Sequence, residues 1–162
     1  MSPASPEKMG YALLGCGLMG SRHAEVLRRL EGAELRCAYD ADRARLEELC
    51  GRMGCRAAGS AEEAVADPSV GAVVAASPSF LHAPTALLAA RAGKHVLLEK
   101  PLSTDAASGQ EAIERCRGAG VVLSVVSQKR FEPGALQLKA ALGAGLLGRI
   151  FLAEVAIHYY RD

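Results

Sequence analysis

At 162 residues, half of them hydrophobic, the chain is long enough for one domain with a sizeable core, or slightly more than one. A formal net charge of +1 leaves no basic field for nucleic acid or an anionic membrane, and no apolar run approaches the ~20 residues of a membrane span. The five cysteines (Cys16, Cys37, Cys50, Cys55 and Cys116) are odd in number and contain no C-x-x-C, which argues against a disulfide framework or a zinc site and for reduced thiols in a cytoplasmic protein.

In chain order, residues 1–9 lack an apolar signal region and are expected to form a flexible tail. The apolar run Tyr11–Leu14 reads as a strand and leads directly into Gly15-Cys16-Gly17-Leu18-Met19-Gly20, then into a helical run, Leu18–Leu30, with Val26, Leu27 and Leu30 on one face. This is the glycine spacing of a dinucleotide-binding turn. Gly15 lets the chain leave the strand sharply, Gly17 lets main chain approach a pyrophosphate, and Gly20 lets the helix pack close to the sheet. The helix N-terminus then aims free N–H groups and the positive end of its dipole at the phosphates. Cys16 suits this loop as a small side chain rather than a reactive thiol. His23, one turn into the helix, reads as an ordinary, partly exposed residue.

The second strand, Leu35–Tyr39 within the apolar stretch from Ala33, ends at Asp40, 20 residues beyond the last glycine. A carboxylate there accepts both hydroxyls of an adenosine ribose and repels a 2′-phosphate, which favours NAD over NADP, although Arg43 and Arg45 follow closely enough to receive such a phosphate. Asp40 also suits an N-cap for a helix over Ala41–Cys50. Further helices are expected at Asp42–Met53, Ala61–Ala66, Ala83–Ala92 and Thr104–Arg117, with strands near Arg56–Ala57 and at Ala72–Ala76, His95–Leu98 and Val121–Val126. Ser60 and Glu63 form a capping-box pattern, Asp67-Pro68 and Ser77-Pro78 break the chain, and Gly93 and Gly118 sit where helix C-caps belong. Pro133–Leu147 reads as a linking helix and Ile150–Tyr159 as a strand. The pattern predicts an α/β fold, a Rossmann-type doubly wound parallel sheet over residues 10–126, and it changes at 127–162. Right-handed crossovers place the ligand crevice at the carboxyl ends of the strands. Gly15–Gly20, Asp40, Ser77–Ser79 and Glu99-Lys100 all fall at such ends. The proline of Glu99-Lys100-Pro101 pushes Lys100 out of the helical region, and a cis Lys100–Pro101 bond is compatible with this turn. Glu99 and Lys100, being successive, are expected to face different surroundings.

Four stretches together are similar to the glucose–fructose oxidoreductase and inositol dehydrogenase (Gfo/Idh/MocA) family: residues 73–82 (VVAASPSFLH), residues 92–101 (AGKHVLLEKP), Gln128-Lys129-Arg130-Phe131-Glu132-Pro133 and the later Leu146-Leu147-Gly148-Arg149-Ile150. The resemblance runs from about Tyr11 to the last residue and implies, at 127–162, the start of a second domain of α+β type. It implies an NAD(P)-dependent oxidoreductase acting on a small-molecule sugar or cyclitol, with a dinucleotide-binding domain beside a larger open sheet that holds substrate and makes homo-oligomer contacts. By position it implies that Gly15, Cys16, Gly17, Leu18, Met19 and Gly20 line the pyrophosphate, and that Asp40 meets the ribose. Ser77, Pro78, Ser79 and His82 would border the cofactor, Glu99 and Lys100 would lie by the nicotinamide, and Gln128 would contact cofactor or substrate. Ser79 departs from the asparagine many members carry, and loses the amide's reach.

The resemblance implies hydride transfer between a carbinol carbon and the nicotinamide, with Lys100 as the catalytic base. A free lysine is protonated near neutral pH, so such a base needs desolvation or a neighbouring positive charge, which an oxidised nicotinamide carries. Without the resemblance Lys100 reads first as a surface lysine at a strand end, Glu99 as an acceptor of turn N–H groups, and His95 and His158 as structural residues. The strand Ile150–Tyr159 would open the family's second sheet. Most of that sheet, and the glycine-rich segment with the Asp and His assigned to catalysis, would lie beyond Asp162, so the chain is expected to bind NAD with little dehydrogenase activity alone. The competing readings are a non-catalytic dinucleotide-binding module or sensor subunit, in which Lys100 has no chemical part, and a methyl transferase, which has no use for Glu99-Lys100-Pro101.

Overall fold

Short apolar strands alternating with helices pair in parallel, because each crossover helix returns the chain to the same end of the sheet. The computed structural model, which describes residues 8–156 and 160, has this arrangement. The chain divides into two units, Met1–Val126 and Ser127–Asp162. In the first, β1 (Met9–Leu14), α1 (Leu18–Arg29), β2 (Ala33–Tyr39), α2 (Arg43–Met53), β3 (Arg56–Ala57), α3 (Ala61–Ala66), β4 (Ala72–Ala75), α4 (His82–Arg91), β5 (His95–Leu98), α5 (Ala106–Gly118) and β6 (Leu123–Val125) follow one another. The strands form one six-stranded sheet in the order β3-β2-β1-β4-β5-β6, every pair parallel. This is the Rossmann-type sheet the alternation predicts. Residues 1–7 of the expected tail lie outside the described residues, and β1 begins at Met9, inside the stretch read as tail.

Strand alternation divides the core between the two faces of the sheet. Leu13 and Val74 pack with Ala24 and Leu27 of α1 and with Leu46 and Leu49 of α2. Ala12, Leu14, Val73 and Ala75 pack on the other face with Val65 of α3, Ala83 and Ala86 of α4, and Ala112 and Cys116 of α5. The small residues of α4 let it lie close against β4, so alanine makes up much of this core.

Several local expectations are corrected. The buried stripe of α1 is Gly20, Ala24 and Leu27, whereas Val26 and Leu30 are 54% and 52% exposed. Val26 lies about 100° around the helix from Leu27, and Leu30 is an extended C-cap outside the helix. Asp40 caps no helix: α2 starts at Arg43, with the Asp42 carboxylate accepting the Arg45 N–H. Gly118 is the last residue of α5 rather than its cap. The left-handed position falls on Gly120, φ +68°, while Gly93 takes φ +66° after α4 as expected. The capping box holds in a shifted form: Ser60 accepts from the Glu63 N–H, but the Glu63 carboxylate reaches back to the N–H of Gly59.

The second unit contains a 3₁₀ turn at Gln128–Phe131 and α6 (Pro133–Gly143), which opens with proline. The helix stops short of Leu147 because Gly145 and Gly148 take left-handed backbone, at φ +69° and +59°. The strand expected over Ile150–Tyr159 is not present at residues 150–156, while 157–159, with His158, lie outside the described residues. A strand exists only by pairing its N–H and C=O groups, and no strand among the described residues of this unit offers a partner. All five cysteines are free thiols. No helix among the described residues is long and apolar enough to cross a membrane, and no cluster of three or more His, Cys, Asp or Glu there is placed to hold a metal.

Candidate functional site

The carboxyl ends of β1, β2 and β4 open onto one cavity of about 880 Å³, lined by Gly15, Gly17, Asp40, Ser77 and Pro78 among others. The sheet order puts β1 between β2 and β4, so the glycine turn after β1 sits between the two neighbouring strand ends. Gly15 has φ +95°, and a Cβ there would lie 2.6 Å from the main chain of Ala76. Gly20 is closed in as well: its Cβ would stand 1.9 Å from the Gly15 carbonyl oxygen. Gly17 differs, because a Cβ there would meet only the Arg45 guanidinium at 3.8 Å. Its main chain is therefore bare toward the cavity.

Helix ends show what this turn leaves for a ligand. α2, α3 and α5 are capped by the side chains of Asp42, Ser60 and Asp105, whereas α1 has Gly17 at its N-cap, no side-chain hydrogen bond and no acid in its first turn. The first N–H groups of α1 thus face the cavity side without a protein acceptor from a cap, as a diphosphate requires. Leu18 is 71% exposed, Met19 is half-buried, and Cys16 is buried behind the loop. The Cys16 thiol donates to the Tyr39 carbonyl at 3.8 Å; burial first, then the nearby Asp40 carboxylate and Cys50, push it up to about 12. It is a packing residue.

Asp40 links two loops. Its Oδ2 accepts the Cys16 N–H at 2.6 Å and its Oδ1 accepts the Asp42 N–H at 2.8 Å. A carboxylate has about four acceptor positions, so two remain for hydroxyl donors from the cavity. The two arginines after β2 have separate fates. Arg43 pairs with Glu47 along the exposed face of α2, while Arg45 lines the cavity, donates to Asp42 at 3.1 Å and lies 3.8 Å from Oδ2 of Asp40.

Beyond β4, Ser77 and Pro78 line the cavity, with Phe80, Leu81 and Leu88 giving an apolar wall. The Ser77 hydroxyl is buried and has no hydrogen-bond partner in the protein. An orphaned hydroxyl, uncapped helix N–H groups and a bare glycine main chain around one cavity fit a dinucleotide. Ser79 starts a 3₁₀ turn and is not part of the cavity lining. His82 is 1% exposed and faces main chain rather than the cavity: Nδ1 is 2.5 Å from the Pro101 oxygen and Nε2 is 2.9 Å from the Ser77 oxygen. Its ring lies beneath the loops that follow β4 and β5.

Glu99 and Lys100 follow β5 and face different surroundings: Glu99 is 6% exposed, and Lys100 is exposed. The Lys100–Pro101 peptide is cis. Glu99 shares strand parity with Leu97, which packs on the α1 face, and its Oε1 meets Nε2 of His23 at 3.0 Å. The Lys100 N–H donates to the other oxygen of Glu99 at 3.2 Å. His23 is partly exposed, as its position suggests, but it also meets a buried carboxylate. Nothing in the local pattern marks it, but the parity of Glu99 with Leu97 does point toward α1. His95 accepts the Val122 N–H through Nδ1 and is structural. Gln128 lies in the 3₁₀ turn of the second unit and is exposed.

The family model of the Gfo/Idh/MocA oxidoreductases, an oxidoreductase family with an NAD-binding Rossmann fold, matches residues 9–127. An inositol 2-dehydrogenase of Rhodococcus jostii is 37% identical over 146 residues, which is 88% of this chain and 40% of that protein. The scyllo-inositol 2-dehydrogenase (NAD(+)) of Bacillus subtilis is 30% identical over 85% of this chain and 41% of its own length. Among solved structures, the WlbA dehydrogenase from Bordetella pertussis, in complex with NADH and UDP-GlcNAcA, superposes with a TM-score of 0.86 at 33% identity, covering 92% of this chain and 43% of that one. The chain spans well under half the length of these relatives.

Proposed function

Because the chain belongs to the Gfo/Idh/MocA oxidoreductases through its NAD-binding Rossmann fold, we propose that it supplies the nucleotide-binding half of a dehydrogenase acting on a sugar or cyclitol hydroxyl. The observation that carries this reading is the one cavity shared by three strand ends, where the uncapped N-terminus of α1 meets Asp40 and Ser77. The α1 N–H groups and Gly17 main chain would hold the diphosphate, and the free acceptor positions of Asp40 would hold the adenosine ribose. Asp40 favours NAD over NADP, and Arg45 does not reverse this, because its guanidinium is drawn to the Asp42 and Asp40 carboxylates. Ser77 would donate to the cofactor from the β4 side. When bound, the nicotinamide supplies a two-electron acceptor for a hydride.

Lys100 stands at the end of the next strand, exposed, with its main chain tied to buried Glu99. It would take the proton that leaves the substrate hydroxyl and hold it on Nζ. Glu99 would orient that segment rather than touch the substrate, since its carboxylate is occupied by His23 and the Lys100 N–H. Gln128 would contact cofactor or substrate in the assembled enzyme, which would be a homo-oligomer.

Titration calorimetry of this chain with NAD, NADP and S-adenosylmethionine tests the nucleotide reading. The expected order is NAD first, NADP weaker by tenfold or so, and no measurable S-adenosylmethionine binding. In a longer protein with a substrate half, Lys100→Met should abolish turnover while NAD affinity changes little. Unchanged turnover would favour a non-catalytic dinucleotide-binding module instead.

A further inference from the structure

The segment that carries Lys100 lies just past the sheet. The last ladder bonds near it are the Glu99 N–H to the Ala75 oxygen and the Val126 N–H to the Leu98 oxygen, both at 2.8 Å. Past that point Lys100 has no strand neighbour, and Pro101 has no N–H to give. Two histidines supply what the sheet does not. From α1, His23 Nε2 meets Glu99 Oε1 at 3.0 Å, and the same carboxylate accepts the Lys100 N–H through Oε2. From α4, His82 Nδ1 meets the Pro101 oxygen at 2.5 Å, while its Nε2 meets the Ser77 oxygen at 2.9 Å. α1 and α4 lie on opposite faces of the sheet, so the turn is gripped from both sides, with the Lys100 side chain left exposed between.

We propose that His23 and His82 are positioning residues that together fix the main chain of the turn carrying Lys100, and with it the base from which the lysine side chain extends. The proposal rests on the reading of Lys100 as proton acceptor. Burial makes the grip effective: the side chains of Glu99 and His23 are 7% and 18% exposed, and His82 is 1% exposed, so water competes weakly for these contacts. His82 adds a further link, because its second contact is the main chain of Ser77 at the cavity wall.

The test uses the chain as it is, without nucleotide. Amide exchange at Lys100 is read by NMR, and the acylation rate of its amine against pH by mass spectrometry, in His23→Ala, His23→Gln and His82→Ala. Losing the His23 contact should free the Glu99 carboxylate, raise Lys100 exchange about tenfold and change the acylation rate of its amine. Glutamine keeps an N–H donor near the position of Nε2, so His23→Gln should restore both within about threefold. His82→Ala should raise exchange at Lys100 and loosen the Ser77 loop together. If Lys100 exchange and acylation in His23→Ala match the wild-type chain, or if protection falls equally across β1 and β4, the positioning role is overturned whatever His82→Ala does, including failure to fold. A chain that shows these changes yet binds no NAD would sink the nucleotide reading and leave the grip on Lys100 standing.

Discussion

Exchanging Gly17 and Gly20 separately for alanine should damage different properties, because only one of them is enclosed by protein. At Gly20 the new methyl carbon would stand 1.9 Å from the Gly15 carbonyl oxygen and 2.9 Å from its carbon. Comfortable carbon contacts lie at about 3.5–4.0 Å, and the obstructing atoms are main chain, so α1 or the turn must move by more than an ångström. Overpacking of this kind costs about 1–3 kcal/mol, and a backbone obstacle puts it at the upper end. Alanine returns about 1 kcal/mol in helix propensity, which leaves a net loss of about 2 kcal/mol, or a fall in Tm of about 8 °C for a unit this size. At Gly17 the methyl carbon meets only the flexible Arg45 tip at 3.8 Å, and φ of −69° suits any residue. Gly17→Ala should therefore melt within about 2 °C of the parent chain. On the proposed reading it should lose NAD affinity about 10–100-fold, because the methyl group would stand where the diphosphate would meet main-chain N–H groups, each such bond being worth about 1.5–3 kcal/mol. Differential scanning calorimetry and titration calorimetry on the two variants measure both quantities. Equal melting losses, or a Gly17→Ala chain that binds NAD like the parent, would refute the assignment of one glycine to packing and the other to the ligand.

Asp40→Ala should weaken NAD binding by more than tenfold and narrow the preference over NADP, while removal of the Cys16 and Asp42 N–H acceptors costs about 1–2 kcal/mol of stability; calorimetry with both nucleotides checks this. The Asp67 carboxyl is held at about 2, below its ordinary value of 3.8, first by the Ser69 hydroxyl, then by Arg56 and the Ser69 N–H. Its folded value lies below the unfolded one, so this stabilisation is full above about pH 4 and is lost as the pH falls toward 2. Asp67→Asn should remove about 1 kcal/mol of that acid dependence after solvent screening, measured by urea titrations from pH 5 to 2. Cys16 and Cys55, both pushed up to about 12 chiefly by burial, should resist iodoacetamide at pH 8 in the folded chain and react readily in urea. Gly10→Ala should destabilise as strongly as Gly20→Ala, because its methyl carbon would stand 1.9 Å from the Ser69 oxygen; chemical denaturation measures the loss.

Local chemistry was enough for the repeating elements and for the nucleotide turn. Apolar runs of four to seven residues such as Ala72–Ala75 and Ala33–Tyr39, with helices between, admit little besides a parallel sheet. The spacing of Gly15, Gly17 and Gly20 and the acid at position 40 could be read because their chemistry depends on neighbours close along the chain. Tertiary structure alone decided the rest, since it turns on which distant groups become neighbours. The ribose reading of Asp40 came from its place after β2, but its expected second role as a helix cap gave way to the Cys16 N–H, which the sheet brings to it from 24 residues away. His23 carried no signal until α1 and β5 came together across 76 residues and gave it the buried Glu99 carboxylate. His82 stood in a recognisable stretch, yet only the packed structure shows it buried, with its ring between the Ser77 and Pro101 carbonyl oxygens. The physical reason is common to all three: a buried polar group must find a partner, and which partner is within reach is a property of the packed sheet and not of the residues on either side.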